Sequence, residues 1–263
     1  MTSNFDLKEK IRHYWSRRAA TFDASFSHRI ADGPQLRAWQ DIYTRHIGQA
    51  PRRVLDLGCG TGEVSRVLAS LGHEITGLDF GEAMLERARS KARSLGAENW
   101  RTVLADAEST GLPHAQFDAV TCRHLVWTLT DPQAAICHWF DLLKPGGLLI
   151  VFDGNYLRPS LRDRMITRLL DRLGRDDAVT YPGEPDLRAA HHEIVNDLPY
   201  KNGLVFNDLA GLARRAGFND IRRHSYRPIR RAQRDGAALR DWLSTFLHDR
   251  FILTARKRDD AAG

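Results

Sequence analysis

Apolar residues recur along the chain in two rhythms. Residues 8–23 place Ile11, Trp15 and Phe22 on one side of a predicted helix, and 35–47 forms a second after the break at Gly33 and Pro34. From residue 54 onward short apolar runs alternate with helical stretches. The runs at 54–57, 75–78, 100–105, 117–122 and 148–152 read as strands, and 63–71, 82–95 and 132–143 as helices, with Gly72 and Gly96 as stop signals. Strands that are apolar throughout, separated by helices, must be covered on both faces, which implies a parallel sheet. Right-handed crossovers then give a doubly wound α/β fold.

After Asp153 the alternation breaks. The segment 155–205 holds an amphipathic helix at 161–173, a Pro/Gly/charge-rich stretch at 181–185, and the pair His191 and His192 ahead of Leu198, Pro199 and Tyr200. About 50 residues is small for an independent core, so the segment reads as an insertion between sheet elements. The earlier rhythm then returns, with helix 207–216, stop Gly217, strand 221–226, a basic connector, helix 236–246 and strand 251–255. At 263 residues the chain fits one large domain. Its expected parts are a helical cap at 1–48, a core at 49–154, the insertion at 155–205 and the rest of the core fold at 206–263.

The turn after the first strand, Val-Leu-Asp-Leu-Gly-Cys-Gly-Thr-Gly at 54–62, has glycines at alternate positions, which lets backbone approach a ligand closely. Its spacing is neither G-x-G-x-x-G nor a P-loop, and Asp56 and Glu63 disfavour a pyrophosphate. A ligand with an amino or sulfonium cation suits these charges better. Asp79 ends the second strand, where a carboxylate accepts the hydroxyls of a ribose, and Asp106-Ala107-Glu108 follow the third. The combination points to a nucleoside without phosphates.

Charge changes this picture only in the second half. The net charge is +6, and all but six of the 39 basic residues are arginine; residues 1–150 are nearly balanced and 151–263 carry the excess. Arg222–Arg234 contains six arginines and no acid. That strip suits an anionic partner such as RNA, a phosphate-bearing lipid or an acidic small molecule, or else is a solvated strand edge. Aromatic interleaving is thin, which argues against nucleic acid. The longest apolar run, 148–152, excludes a spanning helix, and the polar N-terminus and unpaired Cys59, Cys122 and Cys137 point to the cytoplasm. The cysteines lack metal-ligand spacing, so no metal site is expected.

The ordered stretches VLDLGCGTG (54–62), GLDFGEAMLERAR (77–89), ADAESTGLP (105–113), FDAVTCRHLVWTL (117–129) and LLKPGGLLIVFD (142–153), with YWSRRAATFD (14–23) leading, resemble a class I S-adenosylmethionine-dependent methyltransferase. They are similar to the small-molecule group that includes the ubiquinone/menaquinone-type enzymes. The resemblance implies a mostly parallel seven-stranded sheet with an antiparallel last strand, a helical N-terminal cap and an insertion after the fifth strand serving as a lid on the acceptor site. It implies S-adenosylmethionine as cofactor, leaving as S-adenosylhomocysteine. Asp56, Gly58, Cys59, Gly60 and Gly62 would hold the methionine moiety, Asp79 with Phe80 and Met84 the ribose side, and Asp106, Ala107 and Glu108 the adenine. Arg123 would line the cavity, and Tyr14 and Arg18 would close over the cofactor.

Methyl transfer from a sulfonium is an in-line displacement with a good leaving group, so alignment and exclusion of water dominate and a base helps only a protonated acceptor. Candidate bases or acceptor ligands are His124, Asp153 and Tyr200, with His191 and His192 as further possibilities; Trp15 and Trp127 are candidate walls. The expected acceptor is a small molecule, with a bias toward anions. An RNA or protein acceptor using the 222–234 strip, and a non-catalytic nucleoside-binding protein, are the alternatives.

Overall fold

In the computed structural model, residues 4–172 and 185–259 are described; of the Pro/Gly-rich stretch, residues 181–184 lie outside them. The strands are β1 (Arg53–Leu57), β2 (Glu74–Asp79), β3 (Trp100–Leu104), β4 (Phe117–Arg123), β5 (Leu143–Asn155), β6 (Asn219–Ser225) and β7 (Asp249–Arg256). They form one sheet in the order β3-β2-β1-β4-β5-β7-β6, parallel except for β7, which runs antiparallel to β5 and β6. The chain builds outward from β1 to β3 and then crosses to β4 on the other side. This reversal opens a crevice at the carboxyl ends of β1 and β4, where open α/β sheets bind ligands.

The helices are α1 (Asn4–Arg18), α2 (Pro34–Ile47), α3 (Glu63–Ser70), α4 (Glu82–Ser94), α5 (Pro132–Leu142), α6 (Leu161–Arg172), α7 (Pro185–Asp197), α8 (Phe206–Arg215), α9 (Arg227–Arg234) and α10 (Leu239–Ser244). Successive residues of β5 explain why its sequence reads as an unbroken apolar run. Leu149 and Val151 pack on the face shared with Ile136 and Trp139, whereas Leu148, Ile150 and Phe152 pack on the face shared with Trp39, Val67 and Leu68. Neither face is open to water, so no polar alternation is tolerated.

Three expectations change. The leading helix stops at Arg18 and continues as a 3₁₀ segment, Ala19–Ala24, that turns the chain toward the sheet. Between β6 and β7 the basic connector is helical: α9 has Pro228 in its first turn and buries Ile229 and Gln233. Its arginines serve the fold. Arg234 lies 3.8 Å over the Phe246 ring and donates to Thr245, and Arg230 donates to the His248 carbonyl. Finally, His191 and His192, which the sequence places only within the 155–205 insertion, sit on a further helix, α7, that packs against α1 with His191 5.5 Å from the Tyr14 ring. No described helix is long and apolar enough to cross a membrane.

Candidate active site

A cavity of about 260 Å³ opens at the β1/β4 crevice, roofed by α1 and the 3₁₀ segment through Lys8, Ile11, Trp15 and Phe22. Its floor begins with the glycine turn. Gly58, Gly60 and Gly62 have φ of 59°, 54° and 83°, a region side chains rarely occupy. The three glycines differ in what surrounds them. A Cβ on Gly62 would stand 2.3 Å from the Trp100 ring and one on Gly58 2.9 Å from Leu125, but one on Gly60 would meet nothing nearer than Phe22 at 3.9 Å. Gly58 and Gly62 therefore satisfy packing, and Gly60 keeps the cavity wall bare. Gly62 does not itself line the cavity.

Asp79 holds this turn in place. Its two oxygens accept the Gly60 and Gly81 amides at 2.9 and 2.8 Å, and burial raises its pKa against those hydrogen bonds. A carboxylate has about four lone-pair positions, so acceptor capacity remains toward the cavity. Asp56 lies beneath, fully buried, accepting from the Ser65 hydroxyl at 2.6 Å; desolvation pushes it up to about 7, with Asp79 adding to the effect. Cys59, also buried, has its thiol pKa raised by desolvation and by the same two carboxylates. Phe80 and Met84 complete this part of the lining.

Beyond β3, Asp106 and Glu108 line the cavity on either side of Ala107, whose carbonyl is fixed by the Trp139 indole at 2.8 Å. Lys8 reaches across from α1 to both acids, at 2.6 Å to Asp106 and 3.0 Å to Glu108. Burial alone would lower the Lys8 pKa, but the two carboxylates raise it on balance. Glu108 also accepts from the amide and hydroxyl of Thr130, tying the β3 end to the start of α5.

The opposite end is built from β4, β5 and β7. His124 follows β4 with φ of 58°, its amide bonded to the Phe152 carbonyl at 2.9 Å, and its Nε2 is buried with no partner among the described residues. Desolvation, then Arg123 and Arg250, hold its pKa well below the usual range, so the imidazole is neutral. Tyr156 lies 5.0 Å from the His124 ring and 5.3 Å from that of His248, and the Tyr156 hydroxyl, His248 Nδ1 and Trp127 Nε1 are likewise buried without a partner. His28, stacked on Phe22 at 4.1 Å, is lowered to about 3 by burial and Arg123.

Several expected residues stand elsewhere. Asp153 is fully buried outside the cavity lining; its oxygens accept the Val126 and Gly154 amides, so it shapes the 124–128 turn. Tyr200 packs near α8, its pKa raised to about 12 by burial, and also misses the lining. Tyr14 and Arg18 are buried behind the cavity wall, whereas Trp15 and Lys8 face it. Arg123 lines the cavity, but its guanidinium bonds the carbonyls of Ser27 and His28 and lies 5.0 Å over Trp39. His191 and His192 do not line it. Lys8, His28, Tyr156, His248 and Arg250 were invisible to motif reading, because each arrives from a segment without a local signature. Among the described residues no group of three or more His, Cys, Asp or Glu could hold a metal ion.

The donor set fits S-adenosylmethionine on its own terms. Carboxylates from β1, β2 and β3 line one end, and the bare surface at Gly60 admits a ligand against backbone. The chain matches the methyltransferase domain family over residues 55–151. It is 30% identical over 223 residues to a ubiquinone biosynthesis O-methyltransferase of Pseudomonas fluorescens, covering 82% of this chain and 87% of that relative. A Stutzerimonas stutzeri protein of the same name is 36% identical over 140 residues, 53% of this chain and 57% of the relative, so the chain spans little more than half of that protein's length in the match. In fold it is similar to phosphoethanolamine N-methyltransferase 2 of Haemonchus contortus bound to S-adenosylmethionine, with a TM-score of 0.64 at 16% identity, covering 93% of this chain and 57% of the other.

The chain belongs to the class I S-adenosylmethionine-dependent methyltransferases. It is a small-molecule methyltransferase, homologous to the ubiquinone O-methyltransferases, and uses S-adenosylmethionine.

Proposed function

We propose that this enzyme methylates a hydroxyl oxygen of an aromatic small molecule, with His124 taking the proton. The observation carrying the reading is the buried, neutral Nε2 of His124, without a partner among the described residues, beside a cavity walled by Trp15, Phe22 and Trp127. The relatives that carry O-methyltransferase names support oxygen as the accepting atom. The flat apolar walls suit a ring held edge-on to the histidine.

When bound, S-adenosylmethionine supplies an electrophilic methyl group whose C–S bonding pair leaves with the sulfur. The chain's own residues do the rest. His124 accepts the hydroxyl proton as the oxygen gains its new bond, and the Asp153 carboxylate fixes the turn that carries it. Asp79 and Gly60 order the cofactor wall, and α1 with Trp15 and Phe22 keeps water from the reacting centre. The contact of α7 with α1 supports reading 155–205 as a lid, since it braces the helix that roofs the cavity. The free thiols Cys59, Cys122 and Cys137 support a cytoplasmic setting.

The test is transfer of a labelled methyl group to a panel of catechols, hydroquinones and amines. We expect phenolic products, and H124A should lower kcat by about 10²–10⁴-fold while S-adenosylhomocysteine affinity stays within about threefold. Methylation of amines alone, or full activity in H124A, would overturn the reading.

A further inference from the structure

The cavity is electrically divided by the strand order. Its acidic side chains, Asp56, Asp79, Asp106 and Glu108, come from β1, β2 and the stretch after β3, with Glu63 from the start of α3, and Lys8 from α1 is paired to Asp106 and Glu108 at that end. Across the β1/β4 boundary the lining changes sign, with Arg123 at the end of β4 and Arg250 on β7. These two arginines are not equivalent. The Arg123 guanidinium is committed to backbone carbonyls and to the face of Trp39. That of Arg250 has no carboxylate or carbonyl partner among the described residues; its Nε is buried and unbonded, and it lies 5.8 Å over the Tyr226 ring.

A partly buried guanidinium with no acid bonded to it is costly unless a ligand compensates it. The acids nearby are spent: Asp153 on the Val126 and Gly154 amides, Asp163 on Ser160 and the His248 amide, and Asp249 on Arg223. Arg230 sits close behind Arg250, half-buried and bonded to the His248 carbonyl, so it adds positive potential and no compensation.

We propose that Arg250 is the residue that selects the acceptor, and that the acceptor is an aromatic acid whose carboxylate meets Arg250 while its hydroxyl faces His124. The same charge pattern places an anionic acceptor opposite a cationic methyl donor, so the two substrates attract across the β1/β4 boundary. A guanidinium recognises a carboxylate through a planar pair of donors, which a lysine does not reproduce. This rests on the phenolic reading above, and the experiment separates the two.

The probes are 3,4-dihydroxybenzoate and its neutral methyl ester, tested in the full-length enzyme, in R250M, which keeps the apolar stem, and in R250K. Methyl transfer is measured for each, and binding of each probe to the S-adenosylhomocysteine complex is measured by calorimetry. We expect the wild type to favour the acid over the ester by about tenfold or more in kcat/KM, through KM, with that ratio collapsing in R250M and only partly restored in R250K. Affinity for S-adenosylhomocysteine reports folding of each variant. If R250M fails to fold, the wild-type acid-to-ester ratio still decides. Transfer to the ester as good as to the acid overturns the Arg250 assignment and leaves the phenolic reading standing. Arg250-dependent binding of the acid without transfer upholds the anion site and sinks the phenolic reading. Absence of any Arg250-dependent binding of the acid overturns the proposal.

Discussion

The three glycines of the 58–62 turn share one conformational requirement and answer to different neighbours. G62A would force a methyl group into the Trp100 ring at a residue whose φ is already 83°, so it should cost about 2–3 kcal/mol of stability, read as a lower urea midpoint with unchanged slope. G60A meets no such obstacle. Only the backbone penalty applies to it, about 1 kcal/mol, while the added methyl narrows the ligand wall. We expect G60A to weaken S-adenosylhomocysteine binding by about tenfold or more in calorimetry, out of proportion to its loss of stability. Equal effects of the two substitutions on binding would contradict this division. His124 shows the same economy of position, because its left-handed backbone at φ of 58° is held by the Phe152 carbonyl and by the adjacent turn that Asp153 fixes.

At the scale of elements, α9 shows how a charge-rich stretch becomes structure. Its single large apolar anchor, Ile229, is buried, and Arg230 and Arg234 add ring and carbonyl contacts that fasten it to the segment before β7. R234A should therefore lower the melting temperature by about 2–4 °C, roughly 1 kcal/mol, by removing the contacts with Phe246 and Thr245. R231A, at an exposed position of the same helix, should leave both melting temperature and methyl transfer unchanged at any ionic strength. A strong salt-dependent loss of activity in R231A would instead revive the strip as a binding surface. The arginines of the C-terminal part thus include ring-stacked fasteners, exposed positions such as Arg231, and Arg250 in the cavity lining.

For the whole molecule, the buried histidines set the response to acid. His28 is lowered to about 3 and His248 to about 4, both chiefly by burial, so between those values and 6.5 the unfolded chain binds protons that the folded chain does not. Their contribution to stability is complete above about pH 6.5 and falls as pH drops toward 4. His191 and His46, each lowered to about 4, act in the same direction. Asp56 and Asp153, raised to about 7 by burial, act oppositely, because the folded state holds their protons between about 4 and 7. The histidines outnumber the carboxyls, so stability should fall on going from pH 6.5 to pH 4.5, by about 1.4 kcal/mol per pH unit for each net proton, read as a lower urea midpoint. A midpoint that rose over that interval would refute the assignment.

The sequence alone determined the sheet, its parallel core and the acidic end of the cavity, because these depend on local rules. Short continuous apolar runs that alternate with helices read as strands covered on both faces, and the glycines and acids of β1 to β3 lie within a few residues of the strand ends that present them. What the tertiary structure decided is the end of the cavity lined by histidines and arginines. His28, Tyr156, His248 and Arg250 come from segments up to 222 positions apart and meet only because β4, β5 and β7 are neighbours in the sheet. Asp153 and Tyr200 do not line the cavity. A strand-end acid can point into the crevice or into the next turn, and only the packing of that turn decided which.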